Sequence, residues 1–255
     1  MSDNQLINKD RTLEVCAGDL RSVYAARDGG AVRVELCSGL AEGGMTPSIG
    51  LVRGAREVSG IAVNVLIRPR PGDFVYGERE ARVMLDDIAA ANEAGADGVV
   101  IGALTPEGDI DFGLVERMIK AAGKMSVTFH RAFDLCREPM EALNVLMALG
   151  VNRLLTSGQA PTALQGMELL SRLVDAAGER LSVMPGGGVN AGNAAEILDR
   201  SGAHEIHASA RARIDSKMKF RRGDVSMGAS GSDEYATLTT SENLVREIVR
   251  AISKS

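Results

Sequence analysis

Two short segments of this chain carry the same pair of reactive groups. Leu13-Glu14-Val15-Cys16 and Val34-Glu35-Leu36-Cys37 each place a carboxylate two residues before a thiol. In an extended strand that spacing puts both side chains on one face, with Leu13, Val15, Val34 and Leu36 on the other. Paired thiolates are soft ligands suited to Cu(I), and paired carboxylates exchange protons or bind cations. The alternatives differ in strength. A free cysteine is at home as a small buried hydrophobe, whereas carboxylates are rarely buried without a cation or a function.

Further segments offer partners. In Ile61 to Arg70 the same alternation turns Asn64 and Arg68 inward and leaves Arg70 in the loop that follows. Arg68 can grip a carboxylate or an oxyanion bidentately, or it can complete a structural ion network with Glu14 and Glu35. Thr128 and His130 end another strand pattern, and Asp134 lies close enough in sequence to fix the His130 tautomer. A histidine there can exchange protons, ligate a metal or serve as a hydrogen-bonded structural group. His207, in Glu205-Ile206-His207-Ala208-Ser209, is a second inward imidazole. The segments Thr156-Ser157-Gly158, Pro185-Gly186-Gly187-Gly188 and Ser209-Ala210-Arg211 offer backbone amides and hydroxyls to an anion, or simply make tight turns before a helix that Asn190 caps.

These residues need a scaffold that presents them together. From Arg11 onward, short β-branched runs alternate with amphipathic stretches. Strands are expected at Thr12–Cys16, Val32–Cys37, Ile61–Ile67, Gly98–Ile101, Ser126–His130, Arg153–Thr156, Leu181–Met184 and Glu205–Ala208, with helices such as Glu78–Ala94 and Asp111–Ala122 between them. Eight βα units in 255 residues point to a single-domain α/β fold, a (β/α)8 TIM barrel, rather than an open doubly wound sheet. Neither of the first two strands is followed by the G-x-G-x-x-G turn of a dinucleotide fold. Residues 1–11 read as a flexible tail and 12–255 as the barrel. The stretch 210–240 reads as a long loop, suited to a lid, a binding loop or a subunit contact, with disorder as the alternative. Barrel closure sets the last strand beside the first, and so His207 near Glu14.

A formal net charge of -5 argues against nucleic acid as a partner. No apolar run is long enough for a bilayer and Met1 to Asp10 lack an apolar leader core, so a cytoplasmic location is expected, with Cys16, Cys37 and Cys136 as reduced thiols. None of the six lysines falls on a predicted strand end, which disfavours Schiff-base chemistry.

Taken together the segments resemble the CutC copper-homeostasis family. The resemblance is carried by the two Glu-x-Cys strands and by Gly43-Gly44-Met45-Thr46-Pro47-Ser48. It continues through Val65-Leu66-Ile67-Arg68-Pro69-Arg70-Pro71-Gly72-Asp73-Phe74-Val75-Tyr76, Thr128-Phe129-His130-Arg131-Ala132-Phe133-Asp134, Leu155-Thr156-Ser157-Gly158, Met184-Pro185-Gly186-Gly187-Gly188 and Val225-Ser226-Met227-Gly228. It implies a cytosolic, homo-oligomeric barrel that takes part in copper homeostasis, with Cys16 and Cys37 as ligands for copper. The residues also support an enzyme acting on a small anionic or phosphorylated metabolite. In that reading Glu14, Glu35 and His130 are the acid–base groups, and Asn64, Arg68, Arg70, Thr156, Gly186, Gly187, Gly188, His207 and Ser209 bind the ligand. Copper ion or a small anion is thus the expected partner.

Overall fold

The computed structural model describes residues 11–225 and 233–253; the expected tail and Ser226, Met227 and Gly228 lie outside them. Eight parallel strands form the barrel: β1 (Thr12–Ala17), β2 (Arg33–Leu36), β3 (Ala62–Leu66), β4 (Gly98–Ile101), β5 (Ser126–Phe129), β6 (Arg153–Thr156), β7 (Ser182–Pro185) and β8 (Glu205–Ala208). They pair in the order β7-β6-β5-β4-β3-β2-β1-β8, and a bridge between Gly186 and His207 closes the seam between β7 and β8. Helices α1 (Leu20–Gly29), α2 (Ile49–Arg56), α3 (Glu78–Glu93), α4 (Phe112–Ala122), α5 (Pro139–Ala148), α6 (Met167–Ala177) and α7 (Ala194–Ser201) follow the first seven strands, and α8 (Glu242–Ser253) ends the fold.

Helix starts follow local chemistry. Asp111 accepts the Leu114 amide at 3.0 Å and so opens α4, whose Leu114, Val115, Met118 and Ala122 face the strands. Glu80 reaches back to the Gly77 amide at 2.9 Å and opens α3 in the same way.

Alternation along each strand separates two environments. Val15, Val34, Leu36, Val63, Val65, Val99, Ile101, Phe129, Leu154 and Ile206 face outward into the layer shared with the helices. The inside of the barrel is polar at its floor and carries apolar side chains nearer the mouth, Cys37, Leu66 and Val100 with Cys16 and Leu40 against them, while Leu155 lines the cavity and Met184 meets Arg33.

The stretch 210–240, read from sequence as a long loop, contains an antiparallel pair, β9 (Arg211–Asp215) with β10 (Ala236–Thr240). Ala210, at φ 45°, turns the chain out of β8 into this hairpin. Its alternating Thr237, Thr239 and Ile214 gave a strand signal that the neighbouring run of basic and glycine residues obscured. Among the described residues no helix is long and apolar enough to cross a membrane.

Candidate functional site

The inward residues of β1 and β2 meet as their spacing requires. Cys16 stands level with Glu35 in the β1–β2 register, and Glu14 level with Arg33 on one side and His207 on the other. Cys16 Sγ lies 3.3 Å from Cys37 Sγ. His207 Nδ1 is 2.9 Å from a Glu14 oxygen, and its other nitrogen, Nε2, is 3.6 Å from Glu35. The ligand atoms of Cys16, Glu35 and His207 all lie within 4.8 Å of one another. These groups sit at one end of a cavity of about 310 Å³ at the carboxyl ends of the strands, where barrels of this kind place their chemistry. Arg68, Phe74, His130, Gly187, Gly188, Ser209 and Arg211 line the rest of it.

Below the thiols lies an ion network. Arg33 donates from Nε to Glu14 and from Nη2 to Glu205, each at 2.5 Å. Glu205 also accepts Arg153 at 2.5 Å and the Ser182 hydroxyl at 3.0 Å. Burial would push the Glu14 carboxyl upward, but the His207 hydrogen bond and the Arg33 charge hold it down to about 2. Glu14 is therefore a fixed negative charge at neutral pH and suits orientation better than proton exchange. Glu35 behaves oppositely: burial and the neighbouring Glu14 charge raise its pKa against the pull of His207. His207 loses from burial, yet its contacts with Cys16, Glu14 and Glu35 raise it well above the ordinary imidazole value. The Cys37 contact and burial raise the Cys16 thiol in turn.

Several expected placements are corrected. Arg68 does not pair with Glu14 or Glu35; its guanidinium donates to the carbonyls of Glu42, Gly44 and Gly72, at 3.0, 2.8 and 2.8 Å. It packs over Phe74, 5.0 Å from the ring centre. Arg70 lies outside the cavity, bound to Glu80 at 2.5 Å, to Asp73 at 3.0 Å and to the Val75 carbonyl at 2.8 Å, and so braces the loop after β3. Asn64 is buried but does not line the cavity, standing deeper beside Gly98, where no larger residue fits. Thr156 shares the outward parity of Leu154 and donates to Asp134 at 2.5 Å. Gly186 is taken up by the closure seam, close to Leu155 and His207.

Asp134 does not hold His130. It accepts Thr156, the Ser157 amide and hydroxyl at 3.1 and 2.9 Å, and Arg131 at 2.7 Å. His130 instead starts the short 3-10 turn Arg131–Leu135, with Nδ1 accepting the Ala132 amide at 3.1 Å. That contact fixes the proton on Nε2. Burial and the Arg68 charge hold the ring neutral, with a pKa down to about 3. The sequence reading missed Arg33, Arg153 and Glu205. Arg33 and Glu205 share the inward parity of residues it did find, Glu35 and His207, whereas Arg153 shares the parity of Leu155, which it had not placed inside.

Comparison with known proteins agrees with this architecture. A family model, described as the CutC family, matches residues 11–212. A CutC-family protein of Chromobacterium violaceum is 51% identical over 246 residues, spanning 96% of this chain and 100% of its own. The human copper homeostasis protein cutC homolog is 48% identical over 244 residues, spanning 95% of this chain and 89% of that protein. A solved CutC structure from Streptococcus agalactiae superposes with a TM-score of 0.75 at 35% identity, covering 77% of this chain and 97% of that one. Thiamine phosphate pyrophosphorylase from Pyrococcus furiosus, with a TM-score of 0.60 at 18% identity over 97% of each chain, shares the barrel alone.

Proposed function

The chain belongs to the CutC family, and on that premise we propose that it serves copper homeostasis in the cytoplasm by binding Cu(I) between the thiolates of Cys16 and Cys37. The observation that carries this reading is the 3.3 Å approach of the two sulfur atoms beside a cavity. Two converging soft donors, flanked by Leu40 and Leu66, suit a soft monovalent ion and exclude the water that harder ions retain. The relatives named for copper homeostasis support the same assignment.

Residues around the thiols have definable parts in such binding. His207 Nε2 faces the thiol side while Nδ1–H is held by Glu14, an arrangement in which a carboxylate orients an imidazole toward a metal. Cu(I) entry requires loss of the thiol protons. The nearby Glu35 carboxyl, with its raised pKa, is placed to receive one and pass it to the cavity. Met218, Phe220 and Leu238, exposed on and beside the hairpin, support assembly into a homo-oligomer.

The test is an anaerobic Cu(I) titration in competition with a tight chelator, on the native chain and on Cys16→Ser, Cys37→Ser and the double variant. One tightly bound Cu(I) per chain, weakened at least a hundredfold by the double change, is expected. Equal affinity in the native and doubly substituted chains would remove the assignment.

A further inference from the structure

The cavity beside the thiols is larger than a metal ion needs, and most of its polar groups are donors. Arg68 and His130 both line it and are 7% and 5% exposed. Arg68 Nε and His130 Nε2 are buried without a hydrogen-bond partner among the described residues. The His130 tautomer makes Nε2 an N–H donor, since Nδ1 is occupied by the Ala132 amide. On the opposite wall, Gly188 has φ 72°, and the amides of Gly188 and Val189 donate to no group among the described residues. The Ser209 hydroxyl and the Arg211 guanidinium, at the exit from β8, have no side-chain partner there either. Buried donors in a folded protein are nearly always paired, so Arg68 Nε and His130 Nε2 call for an acceptor, while Gly188, Ser209 and Arg211 stand nearer the solvent at the mouth. A site with this many open donors and a single carboxylate, Glu35, is complementary to a ligand rich in acceptors.

We propose that this cavity binds a small organic oxyanion, a phosphate ester or a carboxylate, between the Gly188–Val189 amides with Ser209 and Arg211 on one wall and Arg68 with His130 on the other. Consecutive amides at a glycine turn make a concavity for an anion, and Arg211 adds charge and a planar fork. The neutral His130 ring supplies a donor without competing for protons. Its room is guaranteed by Gly102, the residue after β4, where an added Cβ would collide with the ring. Copper is not needed for this binding, because none of the invoked donors is a thiol and the Cys16 and Cys37 sulfur atoms are engaged with each other and with the Ala17 carbonyl.

The test is a titration of the metal-free native chain with inorganic phosphate and, separately, with malonate, followed by the backbone amide resonances of Gly188 and Val189 and by calorimetry. Saturable shifts of both amides with either probe are expected. Response to phosphate alone would assign the phosphate class and response to malonate alone the carboxylate class. Arg211→Gln is expected to weaken binding about tenfold, since hydrogen bonds to charged groups are the strong ones. Arg213→Gln, on the same hairpin but outside this cavity, should change it less than twofold. Absence of saturable shifts with both probes, or equal weakening by Arg211→Gln and Arg213→Gln, would each overturn the proposal.

Discussion

Replacing Glu14 by Gln isolates the charge that organises the barrel floor. The Glu14 side chain is fully buried and meets Arg33 at 2.5 Å and His207 at 2.9 Å. Its pKa falls from an ordinary 4.5 to about 2, a drop that corresponds to about 3 kcal/mol of folding free energy. Because the folded value lies below the unfolded one, this contribution is complete above about pH 4.5 and disappears as the pH falls toward 2. The His207 side of the contact runs the other way: its raised pKa stabilises fully below the ordinary imidazole value and is lost as the pH rises through the folded one. It is the same contact, counted once. Glu14→Gln keeps the shape but leaves two buried cations facing an amide, so a loss of about 3 kcal/mol is expected at pH 7. The chain has no tryptophan, so urea unfolding is best followed by far-ultraviolet circular dichroism at pH 7, 5, 4 and 3. The difference between native and variant should be largest at pH 7 and 5 and shrink toward pH 3 as the native carboxyl takes up a proton. A difference under about 1 kcal/mol at pH 7, or one that stays constant down to pH 3, would refute the assignment of Glu14 as a fixed charge.

Other consequences are open to direct measurement. Gly102→Ala forces a methyl group into the His130 ring and should destabilise by about 2 kcal/mol; His130→Ala in the same chain should recover most of that loss, and simple additivity in the cycle would contradict the contact. Asp134→Asn weakens the charge-assisted bonds to Thr156, Ser157 and Arg131 and should cost about 2 kcal/mol. A neutral effect would mean the turn after β5 is held by other groups. The His130 ring should show the Nε2–H tautomer and no titration between pH 4.5 and 8, given its pKa near 3; a midpoint near 6.5 in its nitrogen resonances would show that burial has been misjudged. Cys16, with its raised pKa, should alkylate with iodoacetamide at pH 8 at least tenfold more slowly than a free thiol.

The barrel was legible because β-branched runs and amphipathic helices alternate at the spacing a parallel sheet requires, and strand limits shifted by a residue or two without altering any inward face. Strand parity also carried Glu14, Cys16, Glu35, Cys37, His130 and His207 into the barrel, and closure of β8 on β1 brought His207 to Glu14. What parity could not give was pairing. Arg68 projects from the end of β3 as expected, yet the irregular turns around Glu42–Gly44 and Gly72 offer unfilled carbonyls closer than any carboxylate. Asp134 sits four residues from His130, but the 3-10 turn between them points its carboxylate at the end of β6. Thr156 illustrates the remaining failure, where a polar residue at a strand end was read as inward although Leu155, beside it, holds the inward position. Arg33 and Glu205 were passed over because charged residues at the start of a strand are usually solvated; here the polar floor of the barrel accepts both.

X-ray absorption at the copper edge of the chain loaded anaerobically with one Cu(I) reads the ligands around the metal directly. Sulfur scatterers from two thiolates, reduced or lost in the Cys16→Ser, Cys37→Ser variant, are the predicted result. A first shell of oxygen and nitrogen only, unchanged by that double substitution, would contradict it.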